Sequence, residues 1–280
     1  MTIRIVTDST SDLLPEWIEQ YKITVIPAFV QFGNESFADD GIALPREEFY
    51  RRLIEQDETA TTSAMPIGLC EEMMQKALQE ADHVIAITLS SELSGIHNVM
   101  KLAAQNLALD RITVYDSRTL TMALGWIVLA AAQAADAGES LDNIKALIED
   151  LIERAVIYAG FDTLEYVRRG GRVSALAATV GGLLQIKPLF QVVNGRVEII
   201  GRVRTMSRMY SELEKYAQDV APFDQIAYIH THAPERAEKL RDNLASLNPH
   251  GKTHIVEATT AIGAQIGPGA FGFAAIRSKR

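Results

Sequence analysis

Hydroxyl side chains crowd one stretch of this chain. Residues 84–95 read VIAITLSSELSG, an apolar β-rich run that ends in Ser90, Ser91 and Ser94, with a helical pattern following over about 94–107. A strand that delivers hydroxyls to the mouth of a helix brings O–H donors and unpaired backbone N–H groups together, which suits an oxyanion. No strong base stands beside these serines, so the stretch points to holding an anion rather than attacking with a serine. Residues 7–12 (TDSTSD), 59–63 (TATTS) and Asp116-Ser117 share the same character. In a parallel sheet such loops converge on one edge. Helix capping explains any one of them taken alone, because Ser, Thr and Asp are preferred N-caps.

Other chemistries find less support. Asp8 at a strand end would suit an aspartyl-phosphate enzyme, but the second carboxylate that such chemistry wants two residues on is Thr10. Leu93-Ser94-Gly95 lacks the first glycine of a nucleophile elbow, and neither a Walker A motif nor G-x-G-x-x-G occurs. His83, His97, His230, His232, His250 and His254 are dispersed; His230 and His232 would share one strand face, yet no carboxylate stands at matching spacing to complete a metal site. No metal or cofactor is expected. Two basic clusters stand out, Arg168-Arg169 with Arg172, and Arg202 with Arg204 and Arg208. They are either solvated arginines paired with the many acids or a docking patch for a partner that handles phosphate. Residues 263–269 (GAQIGPG) gather Gly and Pro around Gln265, as a backbone approaching a ligand or as a tight turn before a closing helix over 270–276.

The elements that must position these groups alternate. Strands are expected at 3–7, 23–30, 84–89 and 112–115, and helices at 14–21, 46–56, 68–80, 94–107, 119–137 and 141–154. Continuous apolar strands signal a mostly parallel sheet covered on both faces. Beyond this, two β-rich runs flank Asn194-Gly195, a hairpin signal, and strands at 225–230 and 253–258 alternate with helices at 205–218 and 234–247. The expected class is therefore α/β in two domains: a three-layer α/β/α domain with a mostly parallel sheet over 1–159, and a two-layer α/β domain with a mixed sheet over 160–280.

A formal net charge of −9 argues against nucleic acid as the main partner and against stable membrane binding. The longest apolar stretch, Met122–Ala132, falls short of the ~20 residues of a membrane span and reads as a buried helix. No secretory signal precedes the first strand, so the cytoplasm is the expected location. The lone Cys70 reads as a core residue.

The residues resemble the DegV family of fatty-acid-binding proteins, the acyl-binding subunits of bacterial fatty acid kinases. The resemblance spans nearly the whole chain and rests on the order of 6–13 (VTDSTSDL), Thr62-Ser63, Leu93-Ser94-Gly95, 163–173 (TLEYVRRGGRV), 201–205 (GRVRT) and Gly267-Pro268-Gly269. It implies an acyl chain buried in a tunnel, its carboxylate held at Thr62 and Ser94 with Ser63, Gly95, Gln265 and Gly267 beside them. It also implies presentation of that carboxylate to a separate ATP-dependent kinase that docks near Arg172, Arg202 and Arg204. The family carries a His where this chain has Gln265, a Gln-Pro where it has Ala64-Met65, and a Thr or Tyr where it has Ile96-His97. Gln265 donates a hydrogen bond but neither titrates nor carries charge; His97 is a candidate to compensate.

The expected tunnel wall is the small-residue run 173–184. Burying roughly 14–16 methylenes yields on the order of 11–13 kcal/mol gross, whereas a hydrogen bond to a charged group nets about 1.5–3 kcal/mol. The tail would set affinity and the polar groups the position of the head. The rival readings are a hydrolase or phosphotransferase using Asp8 or Ser94 directly, and a carrier of another amphiphile without a kinase.

Overall fold

The computed structural model describes residues 1–107, 110–169, 186–249 and 253–279. The first half runs β1 (Ile3–Asp8), a turn of 3-10 helix (Ser9–Ser11), α1 (Pro15–Gln20), β2 (Thr24–Ile26), β3 (Phe29–Phe32), β4 (Glu35–Ala38), α2 (Arg46–Glu55), β5 (Ala60–Ser63), α3 (Ile67–Gln79), β6 (His83–Thr88), α4 (Ile96–Leu107), β7 (Ile112–Asp116), α5 (Thr121–Asp136) and α6 (Leu141–Arg154). The second runs β8 (Ala155–Gly160), α7 (Glu165–Arg169), β9 (Lys187–Val193), β10 (Arg196–Val203), α8 (Met206–Val220), β11 (Phe223–His230), α9 (Pro234–Asn243), β12 (His254–Glu257), α10 (Thr260–Ile266) and β13 (Phe271–Arg277).

Among the described residues the strands form three sheets. The expected parallel sheet has the order β2-β1-β6-β7. Its two faces are read directly from alternation: Val6, Val84 and Ala86 pack with Met74, Met100 and Ala103 of α3 and α4, and Ile5, Ile85 and Ile87 pack with α5 and α6. The second sheet is mixed, β10-β9-β8-β13-β11-β12, with only β11 and β12 parallel. Helices α8 and α9 cover one face of it. The mixed α/β class is as expected.

Helix α5 lies between the two sheets. Eleven of its sixteen residues are buried, which its apolar sequence all round requires. It shares one core with Ile5 and Ile87 on one side and Ile157, Ile229 and Ala274 on the other, and the Trp126 indole N–H donates to the Ala274 carbonyl of β13 across 3.3 Å. The six-stranded sheet begins with β8, which spans the division expected at 159/160.

Three expectations are corrected. The run 23–30 is two strands in different sheets, broken at Pro27, whose missing N–H and fixed φ end the first. The second half of that run starts an antiparallel sheet, β4-β3-β5, that the sequence did not signal. Residues 60–63 are accordingly a strand rather than a loop. The closing helix expected at 270–276 is β13, a strand with both faces buried; a short, wholly apolar run carries no period to distinguish the two. A helix, α10, stands just before it instead.

Candidate functional site

Thr62 sits on β5 opposite Val30 of β3. Strand alternation turns it inward, half-buried, while Thr61 and Ser63 are exposed. On the exposed face Gln31 holds both, with its Nε2 donating to Ser63 Oγ (2.8 Å) and its Oε1 accepting from Thr61 Oγ1 (3.3 Å). Inside, Gln265 of α10 donates from Nε2 to Thr62 Oγ1 across 2.9 Å. Thr62 thereby accepts and keeps its own O–H free to donate. Gln265 Oε1 is buried and takes no hydrogen bond, a condition that costs about 1–3 kcal/mol.

Ser94 lies in the turn between β6 and α4. Its backbone N–H donates to the Ser90 carbonyl (3.2 Å) and its Oγ accepts from the Ile96 N–H (3.3 Å). The other hydroxyls of the run serve the scaffold. Ser90 Oγ donates to the Gly195 carbonyl at the tip of the β9–β10 hairpin (2.8 Å). Ser91 Oγ donates to Asp116 at the end of β7. Of the three serines, only Ser94 lines the cavity described below.

Three buried carboxylates brace this end of the molecule. Asp8 accepts from the Thr10 N–H and hydroxyl on Oδ1 and from the Leu89 N–H on Oδ2 (2.8 Å); burial nevertheless pushes its carboxyl up from the usual range. Asp39 accepts from Ser9 Oγ (2.7 Å) and Thr260 Oγ1 (2.6 Å), tying the 3-10 turn to the first turn of α10. Asp12 accepts from the Thr259 N–H (2.9 Å), and burial pushes it up to about 8 against the pull of that bond and of Arg46. Asp39 and Asp12 thereby tie down the N-terminus of α10, the helix that carries Gln265. Gly263 lets the helix approach α2: a Cβ there would stand 2.7 Å from the Tyr50 hydroxyl and 2.9 Å from Phe49. Gly267 ends α10 at φ 73°, against the Tyr166 ring.

Thr62, Ser63, Ser94, Gly95 and Gln265 all line one cavity of about 390 Å³, and Gly267 follows the lining residue Ile266. The cavity's volume is in the ~300–1,000 Å³ range of small-molecule sites. Its body is apolar. Ile157, Ala159 and Phe161 face it at alternate positions along and just beyond β8, and Phe190, Val192 and Val197 face it from β9 and β10. These strand residues were missed in the sequence, whereas Thr10, also in the lining, belongs to the hydroxyl-rich loop 7–12 noted there. The wall expected at 173–184 lies outside the described residues, as does Arg172.

The remaining candidates stand apart from the cavity. Arg202 and Arg204 are exposed near the end of β10, roughly 16 Å along the strand from Val197 at ~3.3 Å per residue. His97 Nδ1 is hydrogen-bonded to Thr88 Oγ1 (3.0 Å), and burial lowers its pKa. His230 Nδ1 accepts from the Ala233 N–H (3.3 Å), and His232 stacks on Tyr50 at 4.6 Å. No cluster of metal-ligating side chains occurs among the described residues. Cys70 is fully buried in the core, its thiol pushed up to about 12 by burial. Both Asp8 oxygens are engaged, and Ser94 has no base as its hydrogen-bond partner, so direct catalysis by either gains nothing from the geometry.

Residues 2–278 match the family described as "Uncharacterised protein, DegV family". A DegV domain-containing protein of Streptomyces coelicolor is 35% identical over 274 residues, 96% of each chain. Among solved structures, a DegV-family protein from Thermus thermophilus, described for its fatty acid binding, superposes with TM-score 0.91 at 30% identity over 99% of this chain and 100% of its own. DegV of Bacillus subtilis, described as a fatty acid binding protein, superposes with TM-score 0.86 at 32% identity over the same shares. The chain belongs to the DegV family.

Proposed function

We propose that this chain binds a long-chain fatty acid with its tail in the 390 Å³ cavity and its head group at Thr62, Ser94 and Gln265. The observation that carries the reading is the mixed lining of that cavity. Two hydroxyls and an amide from three separate elements line it, Gln265 and Thr62 hydrogen-bonded to each other, beside a predominantly apolar set of side chains from β8, β9 and β10. A single-headed amphiphile is the ligand class such a lining suits. The fatty acid binding described for the Thermus thermophilus and Bacillus subtilis proteins supports the same choice. Residues 1–159 supply Thr62 and Ser94 on the head-group side, and 160–280 add Gln265 and close over the tail.

The finer role is presentation of the carboxyl to a separate ATP-dependent kinase, with acyl phosphate as product and Arg172, Arg202 and Arg204 as the docking patch. The chain would then act in the cytoplasm as a non-catalytic subunit. Native mass spectrometry of the purified protein tests the binding reading: a co-purifying mass of fatty-acid size is expected, and a ligand of another class, such as a glycolipid or isoprenoid, overturns it.

A further inference from the structure

Among the described residues, the hydrogen-bonding groups that line the cavity are matched donors and acceptors rather than cations. Thr62 and Ser94 each accept a hydrogen bond, from Gln265 Nε2 and the Ile96 N–H respectively, and each keeps an O–H to donate. Thr10, another lining residue, spends its O–H on Asp8, which leaves its oxygen only an acceptor. Gln265 Oε1 is a buried acceptor without a partner. An ionised carboxylate accepts only; it satisfies the two hydroxyls and leaves these oxygens unmet. A head group with one acceptor and one donor suits both.

The charged groups around them lean the same way. Among the described lining residues none is Lys, Arg or His, and the one carboxylate is Glu92, paired with Arg196 of β10 across 2.7 Å. Behind Thr10 lies Asp8, with Asp39 acting on it, both on the side of β1 and the 3-10 turn. From the α4 side the groups are His97, whose pKa burial lowers, and Asp116, which takes Ser91. From α7, Tyr166 is a phenol, and Arg169 is paired with Asp57 and Glu165. Helix α10 bears no ionisable residue, and β5 none. A buried anion beside acidic groups, with no Lys, Arg or His among the described lining residues, is held less well than the neutral acid.

Resting on the fatty acid reading above, we propose that the site holds its ligand in the resting complex with an uncharged head group, the protonated carboxyl of the fatty acid. The acid O–H is donated to Gln265 or Thr10, and its carbonyl oxygen accepts from Thr62 and Ser94.

The test uses the full chain loaded with dodecanoic acid labelled with ¹³C at the carboxyl, its resonance followed by NMR from pH 5 to 9. The expected bound signal stays at the protonated position through neutral pH, so that its midpoint lies more than about 2.7 pH units above the ~4.3 of a free carboxyl. Dodecanamide is expected to bind at pH 8 at least as tightly as dodecanoate. In Gln265→His the bound carboxyl should titrate lower, because an imidazolium favours the anion. A bound carboxyl that titrates at or below the free acid overturns the proposal, including by way of a cation reaching it from Arg172. So does a Gln265→His protein whose bound carboxyl titrates unchanged. Failure of both dodecanoic acid and dodecanamide to bind overturns the fatty acid reading instead.

Discussion

The Ser90 hydroxyl donates to the Gly195 carbonyl across 2.8 Å, fastening the tip of the β9–β10 hairpin to the turn that carries Ser94. Arg196 and Glu92 reinforce the clasp with an exposed ion pair at 2.7 Å, which adds little beside the buried bond. Gly195 has φ +83°, and a Cβ there would stand 2.6 Å from Ser90 Oγ. Gly195→Ala should therefore cost about 1–2 kcal/mol for the left-handed backbone alone and loosen the clasp. The measurements are the unfolding midpoint and the dissociation rate of bound fatty acid. An unchanged dissociation rate would show that the hairpin does not close the cavity.

Thr62→Ala with Ser94→Ala removes both free donors from the cavity lining. Each hydrogen bond is worth about 0.5–1.5 kcal/mol to a neutral head group, so the double variant should bind fatty acid roughly 5- to 150-fold more weakly by titration calorimetry. Binding equal to wild type would place the head group elsewhere.

Asp12 links stability to pH. Its carboxyl is raised in the folded chain from 3.8 to about 8, so between those values the native state holds a proton that the unfolded chain has released. Stability from this group is complete below about pH 4 and is lost as pH rises toward 8, with a slope of at most about 1.4 kcal/mol per pH unit for one proton. Burial raises Asp8 in the same direction. Urea melts of Asp12→Asn across pH 5–8 should show a flatter dependence than wild type; an identical slope would assign the linkage to other groups.

Gly263→Ala drives a methyl to 2.7 Å from the Tyr50 hydroxyl and 2.9 Å from Phe49, both wholly buried. Overpacking of this kind costs about 1–3 kcal/mol. Because α10 must shift, Gln265 shifts with it, and both the melting temperature and fatty acid affinity should fall.

Arg202→Ala with Arg204→Ala changes the exposed end of β10, away from the cavity. Acyl phosphate formation with a cognate kinase should drop at least tenfold while fatty acid affinity, read by titration calorimetry, stays within twofold. Unimpaired phosphorylation would remove this patch as the docking site.

Much of the scaffold was legible because its residues repeat a physical pattern. All six residues of β6 are buried and the four between His83 and Thr88 form an unbroken apolar run, and Asn194-Gly195, both at positive φ, signalled their hairpin correctly. The failures lie where pattern carries no information. The small apolar residues of β13 are buried on both faces, so no polar partner marks the period. The short strands β3 and β5 take their meaning from pairing with each other, not from their own residues. At the site, resemblance placed Thr62, Ser94 and Gln265 together, but the bond between Gln265 and Thr62 spans 203 positions and no local signal predicts it. The apolar wall from β8 to β10 was missed because β8 was not foreseen as a strand.

Helix α5 gives the two halves a common interior. Pulling the sheets apart would expose the helix side chains that fill the space between them, along with Ile157 and Ile229 opposite. That shared interior predicts a single cooperative melting transition for the two architectural halves.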